Sequence, residues 1–324
     1  MVAVCAVGLF AGCYKSPVIN IPPPPAPRFY VSNFTNHNIQ VLTQPITPAS
    51  TSAFSLTSPQ NLDGMAVDGA GNLYAIGTTT IFIFAPTVGA SSTPTACGPV
   101  AGALGFRGAA IDRSGNLWVA DAVGRQLMEF TLPLSCAPAP APVRTIQSLS
   151  FSFPFSMAFD LGNHILVGDD CAAGCVFAFN IPSALGVSVL VPVASFGADH
   201  TTSIAVDVHN TLYAGDAVNS KINAFRPPFA TGITSAFSIA PPVYNDAACV
   251  PPAPFLCESL IQPIDLLFDS SGNLYVTYNT DTSILHSGGV AIFGPPLSGG
   301  STPTFILRGV SAGFTDPAGI AIAP

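Results

Sequence analysis

Gly108 to Phe130 reads GAAIDRSGNLWVADAVGRQLMEF, and this stretch decides the fold. Ala109 to Asp112 is a short apolar run ending in a carboxylate. Arg113-Ser114-Gly115-Asn116 is turn chemistry, because glycine tolerates positive φ and Asp, Ser and Asn bond their own backbone. Leu117 to Ala120 is a second strand closed by Asp121; Gly124 marks another turn, and Gln126 to Phe130 is a third strand. Three antiparallel strands joined by short turns form a meander. A meander of this size cannot bury both of its faces alone, so it must stack on copies of itself.

The copies are present. Gly64 opens GMAVDGAGNLYAI, Ser156 opens SMAFDLGNHILVGD, Ser203 opens SIAVDVHNTLYAGD and Asp265 opens DLLFDSSGNLYVTY. Third strands follow at Ile81–Phe84, Val176–Phe179, Ile222–Phe225 and Val290–Phe293. The first-strand carboxylates Asp68, Asp112, Asp160, Asp207 and Asp269 recur every 44 to 62 residues, the range of a four-stranded propeller blade. A sixth copy is divided between the ends. GIAIAP at Gly319 to Pro324 is a first strand without a second, and FYVSNFTNHNIQV at Phe29 to Val41 is a second and third strand without a first. Pairing them removes an exposed sheet edge. The reading is an all-β, six-bladed β-propeller of four-stranded antiparallel blades over 28–324, one blade being closed by the N- and C-terminal strands.

The GxAVD-xxGNLYVAD-xxN-xIxxF run, fullest at Gly108 and Ser203, resembles the NHL-repeat propellers and their relatives. The resemblance covers nearly all of Phe29 to Pro324. It is specific for architecture and weak for function, since one fold hosts many functions. Among enzyme relatives, the streptogramin-lyase type uses a histidine and a metal at the channel mouth. The gluconolactonase type holds a divalent metal with a glutamate, asparagines and an aspartate. Glu129 and Glu258 lie outside the inner strands, so the gluconolactonase glutamate has no match, and His200 alone is available for the lyase type. No P-loop or HExxH is present.

The 17 acidic and 9 basic residues give a net charge of −8, which argues against a nucleic-acid groove. Met1 to Cys13, MVAVCAVGLFAGC, resembles the end of a bacterial lipoprotein signal, with Cys13 as the lipidation site. The stretch 14–27, with Pro22 to Pro25 consecutive, reads as a stiff spacer. No other segment is long enough to span a membrane, so membrane attachment is expected through the lipid anchor only. Export fits the remaining cysteines, Cys97, Cys136, Cys171, Cys175, Cys249 and Cys257, read as disulfide formers in loops. Six cysteines allow 15 connectivities, and local pairing is the simplest. A metal at Cys171 and Cys175 lacks a second ligand pair.

In a meander, the second-to-third turns and the blade entries share one face, where propellers usually bind around the channel mouth. The entries there contribute Asp63, Arg107, His200 and Asp265; the second-strand exits contribute Asp121, Asp169-Asp170 and Asp216. Asp121 and Asp216 precede turns whose backbone they can cap, and the first-strand acids open a recurrent turn. Asp265 stands where other blades have Gly64, Gly108, Ser156, Ser203 and Gly319, so it should face the channel entrance. Asp63 and Arg107 can pair. One imidazole without a positioned partner is not a catalytic constellation. The expected function is that of a lipid-anchored binding or interaction module at the cell envelope, a monomer with no cofactor, whose ligand is an envelope protein, a glycan or a small molecule. Asp63, Arg107, His200, Asp216 and Asp265 are its candidate ligand-binding residues. The alternative is a lyase or hydrolase with His200 as the weak catalytic candidate and Mg²⁺ or Ca²⁺ held with the help of Asp63, Asp265 or Asp216.

Overall fold

The second and third strands of each repeat are apolar on both faces: Leu73–Ile76 (LYAI), Ile81–Phe84 (IFIF) and Leu117–Asp121 (LWVAD) are buried along almost their whole length. Side chains alternate across a strand, so a strand buried on both sides must have a neighbouring sheet on each. The computed structural model, which describes residues 27–197, 199–240, 261–279, 288–308 and 312–323, satisfies this with a ring of six sheets.

Blade I pairs the C-terminal strand Pro317–Ile322 with Arg28–Asn33, followed by Asn38–Thr43 and Phe54–Thr57. Phe29, Tyr30 and Val31 stand opposite Ile322, Ala321 and Ile320, so the two ends of the chain close the ring. Blades II to VI begin on the inner strands Met65–Val67, Phe106–Ile111, Pro154–Phe159, Thr201–Val206 and Ile261–Phe268, each extended outward by three antiparallel strands. The outermost strands, such as Thr95–Cys97 and Phe237–Ile239, are as short as three residues.

The core is six layers between blades. Between III and IV, for example, Trp118, Leu127 and Ile146 meet Met157, Ile165, Val167 and Phe179. At the end far from the mouth in five of the blades, the first-strand acid ties the first turn to the second strand. Asp112 accepts from Ser114 and Asn116 backbone N–H and from Trp118 Nε1 (2.8, 2.9 and 3.0 Å). Asp68 and Asp269 repeat this with Tyr74 and Tyr275 hydroxyls. Burial first, then the adjacent carboxylate, pushes both phenols up from their ordinary range.

Two features depart from a plain ring of meanders. Gly186–Val189 lies in sequence between the third and fourth strands of blade IV, yet it pairs in parallel with Arg144–Gln147 of blade III as a fifth, outermost strand. Cys97 sits on the fourth strand of blade II rather than in a loop, and Cys136 sits in the loop before the fourth strand of blade III. Cys97–Cys136 and Cys171–Cys175 are joined, with Cα separations of 4.5 and 5.4 Å. Two disulfides fit an oxidising, extracytoplasmic location. Cys13, Cys249 and Cys257 lie outside the described residues. Among the described residues no helix is long and apolar enough to cross a membrane.

Candidate functional site

Where six inner strands converge, each must approach the next closely, and the first position of the repeat shows it. A Cβ on Gly64 would lie 2.6 Å from the Arg107 carbonyl, one on Gly108 2.3 Å from the Phe155 carbonyl, and one on Gly319 2.2 Å from the Asp63 carbonyl. Blades IV and V fit serine there, and Ser203 Oγ reaches the Pro263 carbonyl at 3.5 Å. Blade VI carries Asp265, whose carboxylate accepts from the backbone N–H of Ile320 on blade I and of its own neighbour Leu266, both at 2.9 Å. Asp265 therefore bridges the seam between the last blade and the closing one while lining the channel wall.

Burial pushes the Asp265 carboxyl up to about 7, against the two backbone donors that pull it down. The folded protein then holds a proton at Asp265 that the unfolded chain, titrating near the usual 3.8, has already released. Stability is expected to fall as pH rises from about 4 to about 7, with a limiting slope of about 1.4 kcal/mol per pH unit for this one group. Asp265→Asn keeps an acceptor for Ile320 and removes the titration. Urea unfolding at several pH values should show the variant gaining on the wild type towards pH 8; identical pH dependence would contradict the assignment. Asp169, which burial raises to about 6, is common to both proteins and cancels.

The channel has a volume of about 420 Å³, and its walls are mainly small and branched apolar residues such as Ala66, Ala110, Ile204 and Ile320. At its mouth Arg107 Nη1 donates to Asp63 Oδ2 at 2.7 Å. The guanidinium lies 5.6 and 5.7 Å from the ring centroids of Phe153 and Phe155, an arrangement in which the ring quadrupoles attract the cation. Its Nε is buried without a hydrogen-bond partner. Burial raises the Asp63 carboxyl; Arg107 opposes this and Asp316 adds to it. A second cavity, of about 470 Å³, adjoins from the side of Phe34, Gln60, Thr78, Leu104 and Val123, and both Asp63 and Arg107 line it as well. The ion pair thus stands where two cavities meet.

Of the five candidate residues, Asp63, Arg107 and Asp265 line one channel, and His200 and Asp216 are not among its lining residues. Asp216 is buried and accepts the Asn219 backbone N–H and side-chain amide at 2.8 and 2.9 Å, so it is engaged in its own turn. His200 sits between blades IV and V. Its Nδ1 is held by Asp170, its backbone N–H donates to the Cys171 carbonyl at 2.8 Å, and its φ of 51° is left-handed. The imidazole does have a positioned partner, one that sequence spacing did not single out because Asp170 lies 30 residues away. Phe153 was also missed: its role depends on Arg107 of the preceding blade. Glu129 pairs with Arg144 on the outer strands of blade III. Among the described residues no three His, Cys, Asp or Glu side chains gather as metal ligands.

No protein-family model matches the chain, and no curated protein sequence does. Solved structures do. A protein of unknown function from Bacteroides caccae superposes with a TM-score of 0.64 at 11% identity, covering 92% of this chain and 99% of that one. A Bacteroides uniformis protein provisionally assigned as a 6-phosphogluconolactonase gives 0.52 at 13% identity, over 87% and 83% of the two chains. A Lactobacillus plantarum protein gives 0.54 at 15%, over 87% and 82%. At such identities the likeness is one of fold.

Proposed function

We propose that this chain is an exported propeller of the NHL kind, anchored through Cys13 at the cell envelope, that works as a binding module with its ligand seated at the channel mouth. The observation that carries the reading is the Arg107–Asp63 pair, braced by two phenyl rings and shared by two cavities. A concave, mostly apolar site with a few fixed polar groups is the usual form of a small-ligand seat. Asp63 and Asp316 outnumber the one guanidinium beside them, so the ligand is an uncharged or cationic molecule, such as a neutral or amino sugar of an envelope glycan, rather than an anion.

The test is a thermal-shift and calorimetric screen of the full chain against neutral, amino and acidic oligosaccharides. A ligand at 100 times its Kd stabilises the native state by about 2.7 kcal/mol. Neutral or amino sugars are expected to shift the transition, and Arg107→Ala to weaken them at least tenfold, with Arg107→Lys as the variant that keeps the charge and loses the planar fork. Binding confined to acidic sugars, or indifferent to Arg107, would refute the reading.

A second reading is supported by the His200–Asp170 pair. A histidine held at Nδ1 by a carboxylate keeps Nε2 for proton transfer, the role a lyase or hydrolase would need. Turnover of a bound sugar that His200→Ala abolishes would favour it over simple binding.

A further inference from the structure

Between Asp170 and Asp199 the sequence carries no charged residue. Within this stretch the chain leaves blade IV after Val176–Asn180, lays Gly186–Val189 along blade III, and returns at Ala194–Phe196. Gly186 and Leu190 donate their backbone N–H inward, to Val143 and Gln147 at 2.9 and 2.8 Å. In a strand the groups of alternate residues point to opposite edges, so the N–H and C=O of Val187 and Val189 point outward. Among the described residues no strand pairs with that edge. Beside it stand Leu185, Val187, Val189, Val191 and Val193, exposed to 69, 69, 69, 85 and 54%.

This is an inversion of how a monomer treats an outer strand. Native edges carry lysine, proline, inward charges or bulges that deter pairing; here Pro182 and Pro192 stand beyond the two ends of the strand, and Gly186–Val189 itself presents aliphatic side chains at every second position and an open backbone. A lipid surface does not suit it, because unpaired N–H and C=O groups are costly in hydrocarbon. What suits it is another strand with an apolar, uncharged row. The segment itself meets both requirements. Paired antiparallel with its own copy about an axis at Ser188, Val187 stands opposite Val189 of the second copy, and continuing the register sets Leu185 opposite Val191. Every such cross-strand pair is aliphatic on aliphatic. Charge matching also favours a like partner: two chains of net charge −8 repel over most of their surface, and this uncharged rim is where they can approach.

We propose that the outer edge of Gly186–Val189 is a homodimerisation surface, on which a second copy of this chain pairs antiparallel about a twofold axis at Ser188, in place of the monomer expected from sequence. A twofold contact of this kind is closed and does not propagate. The strand is only four residues long, so the dimer is expected to be reversible, forming at about 10–100 μM protein.

Sedimentation equilibrium of the full chain over that range, together with circular dichroism to monitor the fold, tests this. The wild type is expected to move from monomer to dimer mass. Val187→Lys/Val189→Lys, both on exposed positions, sets like charges across the axis and should leave a folded monomer. Val187→Glu/Val189→Lys sets Glu opposite Lys in the antiparallel register and should dimerise at least tenfold more tightly than the double-lysine variant. A wild type that stays at monomer mass, that grows beyond a dimer, or that binds neutral phosphatidylcholine vesicles through these valines instead would overturn the proposal. So would a dimer that survives the double-lysine substitution with its fold intact.

Discussion

Gly108→Val is expected to lower the unfolding free energy by at least about 3 kcal/mol, the upper end of the usual cost of overpacking a filled interior. A Cβ at this position would lie 2.3 Å from the Phe155 carbonyl oxygen and 3.0 Å from Ser156 Cα. These are backbone atoms of the neighbouring blade's inner strand, which cannot rotate out of the way. The backbone has no special need for glycine in φ here, since Gly108 is absent from the residues in left-handed conformation; the requirement is purely one of space between blades. Relief would mean opening the III–IV seam, and a ring of six blades has to pass that strain round to the closing blade. Urea unfolding of Gly108→Val beside Gly89→Ala, where an added Cβ meets nothing within 4 Å, separates the two causes. A Gly108 variant as stable as the Gly89 variant would show that the inner ring can expand.

Asp121→Ala is expected to cost about 4 kcal/mol. Asp121 has no exposed surface and accepts four hydrogen bonds: from the backbone N–H of Leu104, Gly105 and Gly124 at 3.0, 2.7 and 3.0 Å, and from Gln126 Nε2 at 2.9 Å. Two of those donors belong to the loop that arrives from blade II, so one carboxylate fixes both its own turn and the entry that carries Arg107. Removing it strands buried donors, each costing about 1–3 kcal/mol where water cannot enter. Asp112→Ala offers the contrast. Its acceptor oxygens serve a turn whose Ser114 and Gly115 are exposed, where water can replace them, and only the Trp118 indole N–H is left in the interior, so about 1–2 kcal/mol is expected. Equal losses in the two variants, read by the same denaturant titration, would refute the distinction. Asp121→Ala should also weaken any ligand that depends on Arg107, because the entry loop is no longer pinned.

These effects show what could be read along the chain. The first-strand acids, the GN turns and the Asp at the second-strand exit are answers to local backbone needs, and a residue can be matched to a need two to six positions away. Asp121 was recognisable as a turn former on that basis. Its bonds to Leu104 and Gly105 were not, because they cross from one blade to the next. The fourth strands were hidden for another reason: segments such as Thr95–Cys97 and Ala194–Phe196 are three residues long and carry too little alternation to stand out. Gly186–Val189 does alternate, but its transfer to blade III depends on an edge left free by Arg144–Gln147, on a different repeat.

The sequence by itself determined the repeat, the six blades and the closure of the ring by its two ends, because strand period and turn chemistry are properties of neighbours in the chain and the split blade has only one complement. The tertiary structure decided which of the mouth residues meet. Arg107 reaches Asp63 and the two phenyl rings across blade seams, Asp265 spends its carboxylate on Ile320, and His200 pairs with Asp170 away from all of them. Such meetings are set by the width of the ring and the tightness of its seams, and these follow from the packing of all six blades at once, which no single stretch of sequence contains.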